Sequence, residues 1–182
     1  MERIKLIVAA LTFALCSSYF YAQPKLNLVD KTLNFGFRSA QKRTIDVLII
    51  HSTFNTSGGD YYDLNLVIKQ FKKYYVSAHY AIGRNGEIYR LVAEKNIAFH
   101  AGNSSLPDGT TGINKRSIGI ELLNSFDDSP SENQLISLTN LVKDIAKRED
   151  IKYILRHSDI APGRKTDPWN FDWEGFLQRL KQ

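Results

Sequence analysis

The chain has 182 residues, of which 43% are hydrophobic and 24% are charged, the balance of a soluble globular domain of ordinary size. This balance excludes a largely disordered or membrane-embedded chain. The single cysteine, Cys16, excludes a disulfide framework.

Residues 1–22 have the layout of a secretory signal peptide. Basic residues precede an apolar run from Leu6 to Leu15, and small or polar residues then lead to Ala22. The run is too short for a transmembrane helix. We therefore expect export to the periplasm or the extracellular space, with cleavage after Ala22. A lipid anchor on Cys16 is the alternative, although the preceding leucine fits a bacterial lipobox poorly.

The net charge of +5 and the pI near 9.2 favour an anionic partner. For an exported protein a cell-wall polymer fits this charge better than nucleic acid, which we do not expect as a partner. A basic surface that only keeps the protein soluble is an equal alternative. A mature chain cut after Ala22 has no cysteine, so any metal site must use His, Asp or Glu.

The domain itself is predicted to span residues 45–182, after a leader or edge segment at 23–44 that carries no motif. Residues 46–51 are a continuous apolar run that ends in His51, which is typical of a central strand buried on both faces. A histidine at this position is either a buried core residue or a functional group, and the pattern alone leaves both open.

Helical spacing over residues 60–75 predicts a helix whose aromatic stripe packs in the core. A hairpin follows, with arms 78–84 and 87–92 joined by Asn85-Gly86, the pair that a type I′ turn favours. His79 lies in its first arm. The stripe consists of Tyr61, Leu64, Val67, Ile68, Phe71 and Tyr75.

The second half of the domain alternates a long loop, strands and helices. Residues 101–116 form a polar loop, and residues 117–123 a buried strand in which the carboxylate of Glu121 needs a partner or a task. Ser129-Pro130-Ser131-Glu132 predicts a helix start with Ser129 as the cap and Glu132 completing it. A last helix is capped by Asp172. These elements predict an α/β fold with a central mixed sheet flanked by helices.

The most charged loop, residues 156–169, follows a short strand-like run and contains His157 and Asp167. An imidazole and a carboxylate need one further ligand to form a catalytic zinc site. The chain has four histidines, each in or after a strand-like segment, so several of them are expected to converge at one end of the sheet. Spacing alone does not choose among them.

Ordered motifs then identify a family. The chain resembles the zinc-dependent N-acetylmuramoyl-L-alanine amidases, which share their fold with phage amidase lysozymes and animal peptidoglycan recognition proteins. The resemblance runs from about Ile45 to Trp173 and is closest to the bacterial anhydro-muropeptide amidases. Its motifs are Ile49-Ile50-His51-Ser52-Thr53, Val76-Ser77-Ala78-His79-Tyr80, Phe99-His100-Ala101-Gly102, Ser117-Ile118-Gly119-Ile120-Glu121 and the loop from Arg156 to Pro168.

The resemblance implies that His51, His157 and Asp167 bind Zn²⁺ and that Glu121 and Lys165 are catalytic. In this chemistry zinc polarises the amide carbonyl and activates water. Glu121 accepts the proton of the water and passes it to the leaving amine. Lys165 stabilises the oxyanion.

The remaining positions of the resemblance concern the substrate pocket. His100 is implied as a residue of the substrate pocket, or as one that supports the ligands from behind, rather than as a metal ligand, and His79 as a structural one. Arg164 is a candidate for binding a peptide carboxylate, with a plain surface role as an equal alternative. Ala78 occupies the position where phage relatives have a catalytic tyrosine, so that role is not assigned here.

The implied reaction is hydrolysis of the amide between the lactyl group of N-acetylmuramic acid and L-alanine, in peptidoglycan or its fragments. A peptidoglycan-binding module without catalysis is the alternative, and the three filled ligand positions argue against it. A glycosidase with paired carboxylates would leave His51, His157 and Lys165 unexplained. We expect a monomer without a stable membrane span.

Overall fold

The computed structural model describes residues 26–182, so the predicted signal peptide and Cys16 lie outside the described residues. No helix in the described part is both long and apolar enough to cross a membrane. The elements are β1 (Leu28–Asp30), β2 (Phe37–Arg38), β3 (Val47–Thr53), α1 (Leu64–Tyr74), β4 (Tyr80–Ile82), β5 (Ile88–Arg90), β6 (Ile97–Ala98), a 3₁₀ turn (Ile113–Lys115), β7 (Ser117–Leu123), α2 (Glu132–Arg148), β8 (Tyr153–Arg156), α3 (His157–Ile160) and α4 (Trp173–Lys181).

The main sheet has six strands in the order β1-β5-β4-β7-β3-β8. The neighbouring pairs β4–β7, β7–β3 and β3–β8 are parallel, whereas β5 runs antiparallel to β4. Strands β2 and β6 form a separate antiparallel pair. This architecture confirms the predicted α/β fold with a central mixed sheet flanked by helices.

The central strands β3 and β7 are buried on both faces, as their continuous apolar runs predict. Leu48 and Ile50 of β3 belong to the core cluster that contains α2 and α4 residues. Val47 and Ile49 belong to a different cluster, which includes Ile160 of α3. Since side chains alternate along a strand, His51 lies on the same face as Val47 and Ile49, away from α2.

The segment before Ile45, predicted as a leader or edge segment, packs on this domain. Its β1 pairs in parallel with β5 and forms an edge of the main sheet, while Leu33 and Phe35 are buried in the core beside α1. The Arg43 guanidinium donates to the carbonyl oxygens of Glu94 (2.9 Å) and Ser117 (2.8 Å). This part of the chain therefore contributes to the core.

The predicted hairpin is present, but the prediction of a type I′ turn is wrong. The strands end at Ile82 and resume at Ile88, and the N–H of Gly86 donates to the carbonyl oxygen of Gly83 at 2.9 Å. Gly86 has a φ of +87°, whereas Asn85 is not among the residues with positive φ, which a type I′ turn requires at both central positions. The glycine instead follows the turn in the left-handed conformation, as in a bulged hairpin loop.

Helix α1 is shorter than the predicted 60–75. It begins after Asp63, whose carboxylate accepts the N–H of Asn65 at 2.7 Å. Leu64 and Phe71 face the core as predicted, but Tyr61 and Tyr75 are 52% and 61% exposed. The two tyrosines fall outside the helix, so its periodicity does not direct their rings inward.

The predicted cap of α2 is displaced by two residues. Ser131, not Ser129, is the N-cap, and its hydroxyl accepts the N–H of Gln134 at 3.1 Å. Gln134 rather than Glu132 closes the capping box, with Oε1 accepting the N–H of Ser131 at 3.0 Å. Each serine is followed three residues later by Glu or Gln, as a capping box requires. The choice between them therefore depends on where Gln134 is anchored.

The anchor of Gln134 is the sheet. Its buried amide nitrogen donates to the carbonyl oxygens of Ile82 at 3.0 Å and Leu123 at 3.1 Å, where β4 and β7 end. Each of these two strand-end carbonyl groups therefore has a hydrogen-bond donor on the helix. One side chain thus joins α2 to two neighbouring strands.

We expect Gln134→Ala to lower the free energy of unfolding by about 2 kcal/mol or more, because two buried carbonyl groups and the helix cap each lose a partner. Urea denaturation followed by circular dichroism measures this. Glu132→Ala is the matched control, since its exposed ion pair with Arg179 contributes less than about 1 kcal/mol. Equal losses in the two variants would contradict the role given to Gln134.

Candidate metal centre and groove

Three neighbouring parallel strands bring His51, Glu121 and His157 to the same end of the sheet. His51 lies opposite Glu121 in the β3–β7 register, and Ile50 lies opposite Arg156, the residue before His157. Glu121 lies one position from Ile120 and Leu122, which belong to the α2 core, so alternation turns it to the face that His51 occupies. The carboxyl ends of parallel strands are where α/β folds usually build their sites.

Asp167 completes a buried group of three possible metal ligands, although the loop that carries it has no regular structure. The donor atoms converge closely. Nδ1 of His51 and Nδ1 of His157 are 3.0 Å apart, and Oδ2 of Asp167 lies 3.5 Å and 3.1 Å from them respectively. The N–H of Ser158 donates to the Asp167 carbonyl oxygen at 3.0 Å, which ties the loop to α3.

These distances fit a divalent metal. Tetrahedral ligands at about 2.0–2.1 Å from a zinc ion lie about 3.3 Å from one another, close to the three separations found here. Burial lowers the pKa of His51 to about 4, so this imidazole is neutral, the form that binds metals. For Asp167 burial opposes ionisation, but the contacts with His157 and His51 together outweigh it and hold the pKa of the carboxyl below its ordinary range.

A chain of hydrogen bonds behind His51 assigns its tautomer. The Ser117 hydroxyl donates to the carbonyl oxygen of Ile113 at 2.8 Å, so it accepts from Nε2 of His100 at 3.1 Å. Burial keeps the pKa of His100 well below its ordinary value, so its Nδ1 is an acceptor. Nε2 of His51, 3.0 Å away, is then the donor. Nδ1 of His51 is left with its lone pair directed at the other ligands.

The resemblance implied that His100 lines the substrate pocket or supports the ligands, and the structure places its ring at the groove and against His51. Its ring borders the groove, but both nitrogens are engaged by His51 and Ser117. Gly119 makes room for it, because a Cβ on this residue would meet the His100 ring at 2.5 Å. A lone glycine in an otherwise apolar strand is the sequence signal for such a close approach. Ser117 is a functional position that sequence reasoning missed.

His79 packs behind this group and has partners of its own. Its Nδ1 accepts the N–H of Gly119 at 3.1 Å, and its Nε2 is 3.1 Å from the carbonyl oxygen of Asn96. Burial lowers the pKa of His79 to about 3. The ring is a neutral bridge between strand and loop, in the structural role expected for it.

Glu121 has a buried carboxylate oxygen without a hydrogen-bond partner among the described residues. Its side chain is buried, and Oε2 accepts no hydrogen bond from any described residue. Burial raises the pKa of Glu121 well above its ordinary value, the charge of Asp167 adds to the rise, and the charge of Lys165 opposes it. A carboxyl group with a raised pKa in a groove is a candidate for accepting and releasing a proton during a reaction.

The site lies in a groove of about 540 Å³ that Glu121, His157 and Asp167 line together with both predicted basic residues. Lys165 is exposed at the groove. Arg164 donates from one guanidinium nitrogen to the carbonyl oxygens of Ala101 (3.0 Å) and Asn103 (2.7 Å). It therefore fastens the 101–103 segment beside the groove while its side chain stays at the surface.

Three possible protein ligands beside an accessible groove are typical of a catalytic zinc site, because structural zinc sites normally use four protein ligands. Such three-ligand sites are common in hydrolases. The chain belongs to the N-acetylmuramoyl-L-alanine amidase family, whose profile matches residues 41–170. It is similar to the 1,6-anhydro-N-acetylmuramyl-L-alanine amidase AmpD of Haemophilus influenzae, with 40% identity over 58% of this chain and 59% of the relative. A solved AmpD structure superimposes with a TM-score of 0.73 at 26% identity, covering 85% of this chain and 94% of AmpD.

The N-acetylmuramoyl-L-alanine amidase AmiD of Escherichia coli is a second similar protein, 38% identical over 74% of this chain and 53% of AmiD. Its structure in complex with the substrate anhydro-N-acetylmuramic acid-L-Ala-D-gamma-Glu-L-Lys has a TM-score of 0.64 at 34% identity, covering 78% of this chain and 60% of that one. The chain spans little more than half the length of the two curated relatives. These matches confirm the family and the fold implied by the ordered motifs.

We expect His100→Ala to weaken metal binding about 10- to 100-fold, because His51 loses the acceptor that sets its tautomer. Competition for Zn²⁺ between the purified protein and a chelator of known affinity measures this. His100→Gln, which can offer an amide oxygen to Nε2 of His51, should regain part of the affinity. His79→Gln is the matched control for general loosening of the buried histidine group. An equal loss of affinity in that control would contradict a specific role for His100.

Proposed function

We propose that this chain is a zinc-dependent amidase that cleaves the bond between the lactyl group of N-acetylmuramic acid and L-alanine. The observation that carries the proposal is the buried Glu121, which lines the same groove as His157 and Asp167, the two residues whose donor atoms converge with Nδ1 of His51. The family and the substrate named for AmiD support the choice of bond.

His51, His157 and Asp167 would hold the Zn²⁺, which supplies Lewis-acid polarisation of a carbonyl and a lowered pKa for water. Three protein ligands would leave a coordination position for water or substrate, and His157 and Asp167 both line the groove. The His51–His100–Ser117 hydrogen bonds fix the orientation of one ligand before substrate arrives. This preorganisation lowers the reorganisation needed in the reaction.

Glu121 moves the proton in this reaction. Its unpartnered Oε2 accepts a proton from the attacking water and returns it to the nitrogen of L-alanine as the C–N bond breaks. Burial favours the neutral form of the carboxyl group, so holding this proton costs little. Lys165, on the groove surface, supplies the positive charge that stabilises the oxyanion.

The substrate class follows from the same groove. The AmiD ligand joins a muramic acid sugar to a peptide whose γ-linked glutamate leaves a free carboxylate. Lys165 and Arg164 give this groove two cations for such an anionic peptide. We infer that soluble muropeptides and peptidoglycan stems are the substrates.

We expect digestion of peptidoglycan by the zinc-loaded chain to release peptides with a free L-alanine amino terminus and to leave the glycan uncut. Amino-group labelling followed by mass spectrometry identifies the products. Glu121→Gln should keep one zinc per chain and lose on the order of a hundredfold or more in rate. New reducing sugar ends without free alanine would instead indicate a glycosidase. Binding without either product, in zinc-loaded protein, would indicate a recognition module.

We further propose that the protein is exported, on the basis of residues 1–22 alone. A mature chain beginning at Gln23 is expected in the periplasm or outside the cell, where peptidoglycan is accessible. Mass measurement of the native amino terminus after fractionation tests this. A lipid-modified Cys16 at the amino terminus would indicate a membrane-tethered form, and a cytoplasmic chain that keeps Met1 would reject export.

A further inference from the structure

Four aromatic side chains cluster beside the metal centre without a role in the chemistry above. Phe54 is their centre, with its ring centroid 5.6 Å from that of Tyr61, 5.4 Å from Phe126 and 5.8 Å from Trp169. Phe126 and Trp169 are also in contact, at 6.1 Å. All four pairs meet edge to face, the arrangement that aromatic rings favour. We call these four residues the aromatic rim.

The aromatic rim is at the surface, not in the core. Tyr61 is 52% exposed and Phe126 57% exposed, although both are large apolar rings. The surrounding loops are nonetheless tied together, since the side-chain amide of Asn170 donates to the carbonyl oxygen of Phe126 at 2.8 Å. Exposed aromatic rings held in place by such contacts are typical of a binding surface.

The aromatic rim is continuous with the groove of the metal centre. Trp169 lines the groove and follows the ligand Asp167 by two residues. Phe54 directly follows Thr53, which also lines the groove. If the amide of a ligand lies at the metal centre, the part of the ligand that extends toward Trp169 therefore contacts the aromatic rim.

Arg164 and the aromatic rim have neighbours of different charge. Arg164 lies against the 101–103 segment, and the next residue, Lys165, is a second exposed cation at the groove. At the aromatic rim the exposed Asp60 precedes Tyr61, and the exposed Asp127 follows Phe126. An anionic peptide is attracted to the two cations and repelled from the two aspartates. An uncharged group fits beside the aspartates.

We propose that the aromatic rim is a subsite for an uncharged sugar ring of the glycan, with the stem peptide directed to Arg164 and Lys165. The proposal rests on the proposed amidase function for the direction in which the substrate lies. The C–H face of a pyranose ring is apolar and weakly positive, which matches the negative face of an aromatic ring. The neighbouring aspartates can accept hydrogen bonds from sugar hydroxyl groups.

A pair of substrates that differ only in the sugar tests this. One is N-acetylmuramoyl-L-Ala-D-γ-Glu-L-Lys, and the other is the D-lactoyl form of the same peptide. We expect Phe126→Ala and Tyr61→Ala each to lower kcat/KM for the sugar-bearing substrate roughly three- to tenfold, and to leave the lactoyl peptide unchanged. Tyr74→Ala, 64% exposed on α1, is the matched control and should change neither value.

A binding measurement keeps the test independent of catalysis. The chain has two tryptophans, so a Trp173→Phe, Glu121→Gln protein reports fluorescence from Trp169 alone. The probe is the neutral tetramer of N-acetylglucosamine, which has no peptide and no lactyl group. We expect saturable quenching or enhancement, weakened roughly three- to tenfold by Phe126→Ala. This titration decides on the subsite even if the wild-type chain cleaves no amide.

Several results would overturn the proposal. Equal losses on both substrates would place the aromatic rim against the peptide. No loss on either, together with no response to the tetramer, would exclude a sugar subsite. Self-association in sedimentation experiments that Phe126→Ala abolishes would instead identify a second copy of the chain as the occupant of this surface.

Discussion

The parallel register of β3 with its two neighbours is the constraint on which the site depends. His51 is opposite Glu121 on one side, and Ile50 is opposite Arg156 on the other, so His157 emerges beside them. Because side chains alternate, a slip of one residue in either pairing would turn a ligand or the glutamate into the α2 core. The apolar residues on both faces of β3 and β7 make such a slip costly. Core packing therefore also positions the chemistry.

Burying so many polar groups requires that each be neutral or paired. The imidazoles of His51, His79 and His100 are held neutral by burial, and the first and third share a hydrogen bond. Asp167 keeps its charge through its contacts with the histidines. Glu121 has a raised pKa, and its Oε2, like Nε2 of His157, is buried without a hydrogen-bond partner among the described residues. Buried polar atoms left unsatisfied within one site are a sign of function rather than of stability.

The groove is asymmetric in a way that suits a substrate with two unlike halves. The groove has the exposed cations Arg164 and Lys165 and, next to it, aromatic rings whose chain neighbours include two exposed aspartates. The positive net charge of the chain favours an anionic partner in general, and the proposed sugar subsite would direct the uncharged part of that partner to the aromatic rings.

The sequence by itself determined the buried strands and most of the helix faces, and its motifs pointed to the three residues that converge as the candidate metal site. Continuous apolar runs and helical periodicity report on burial directly, and the ordered motifs around His51, Glu121 and the 156–168 loop identify the family.

Only the tertiary structure decided the cap of α2, the position of His100 and the exposure of Tyr61. Gln134 is selected by carbonyl groups of two distant strands, and His100 by the space over Gly119. Tyr61 follows helical spacing in the sequence, yet the chain becomes helical only at Leu64 and its ring packs on Phe54. Each of these outcomes depends on contacts between residues far apart in the chain, or on the point at which regular structure begins, and neither is visible in local periodicity.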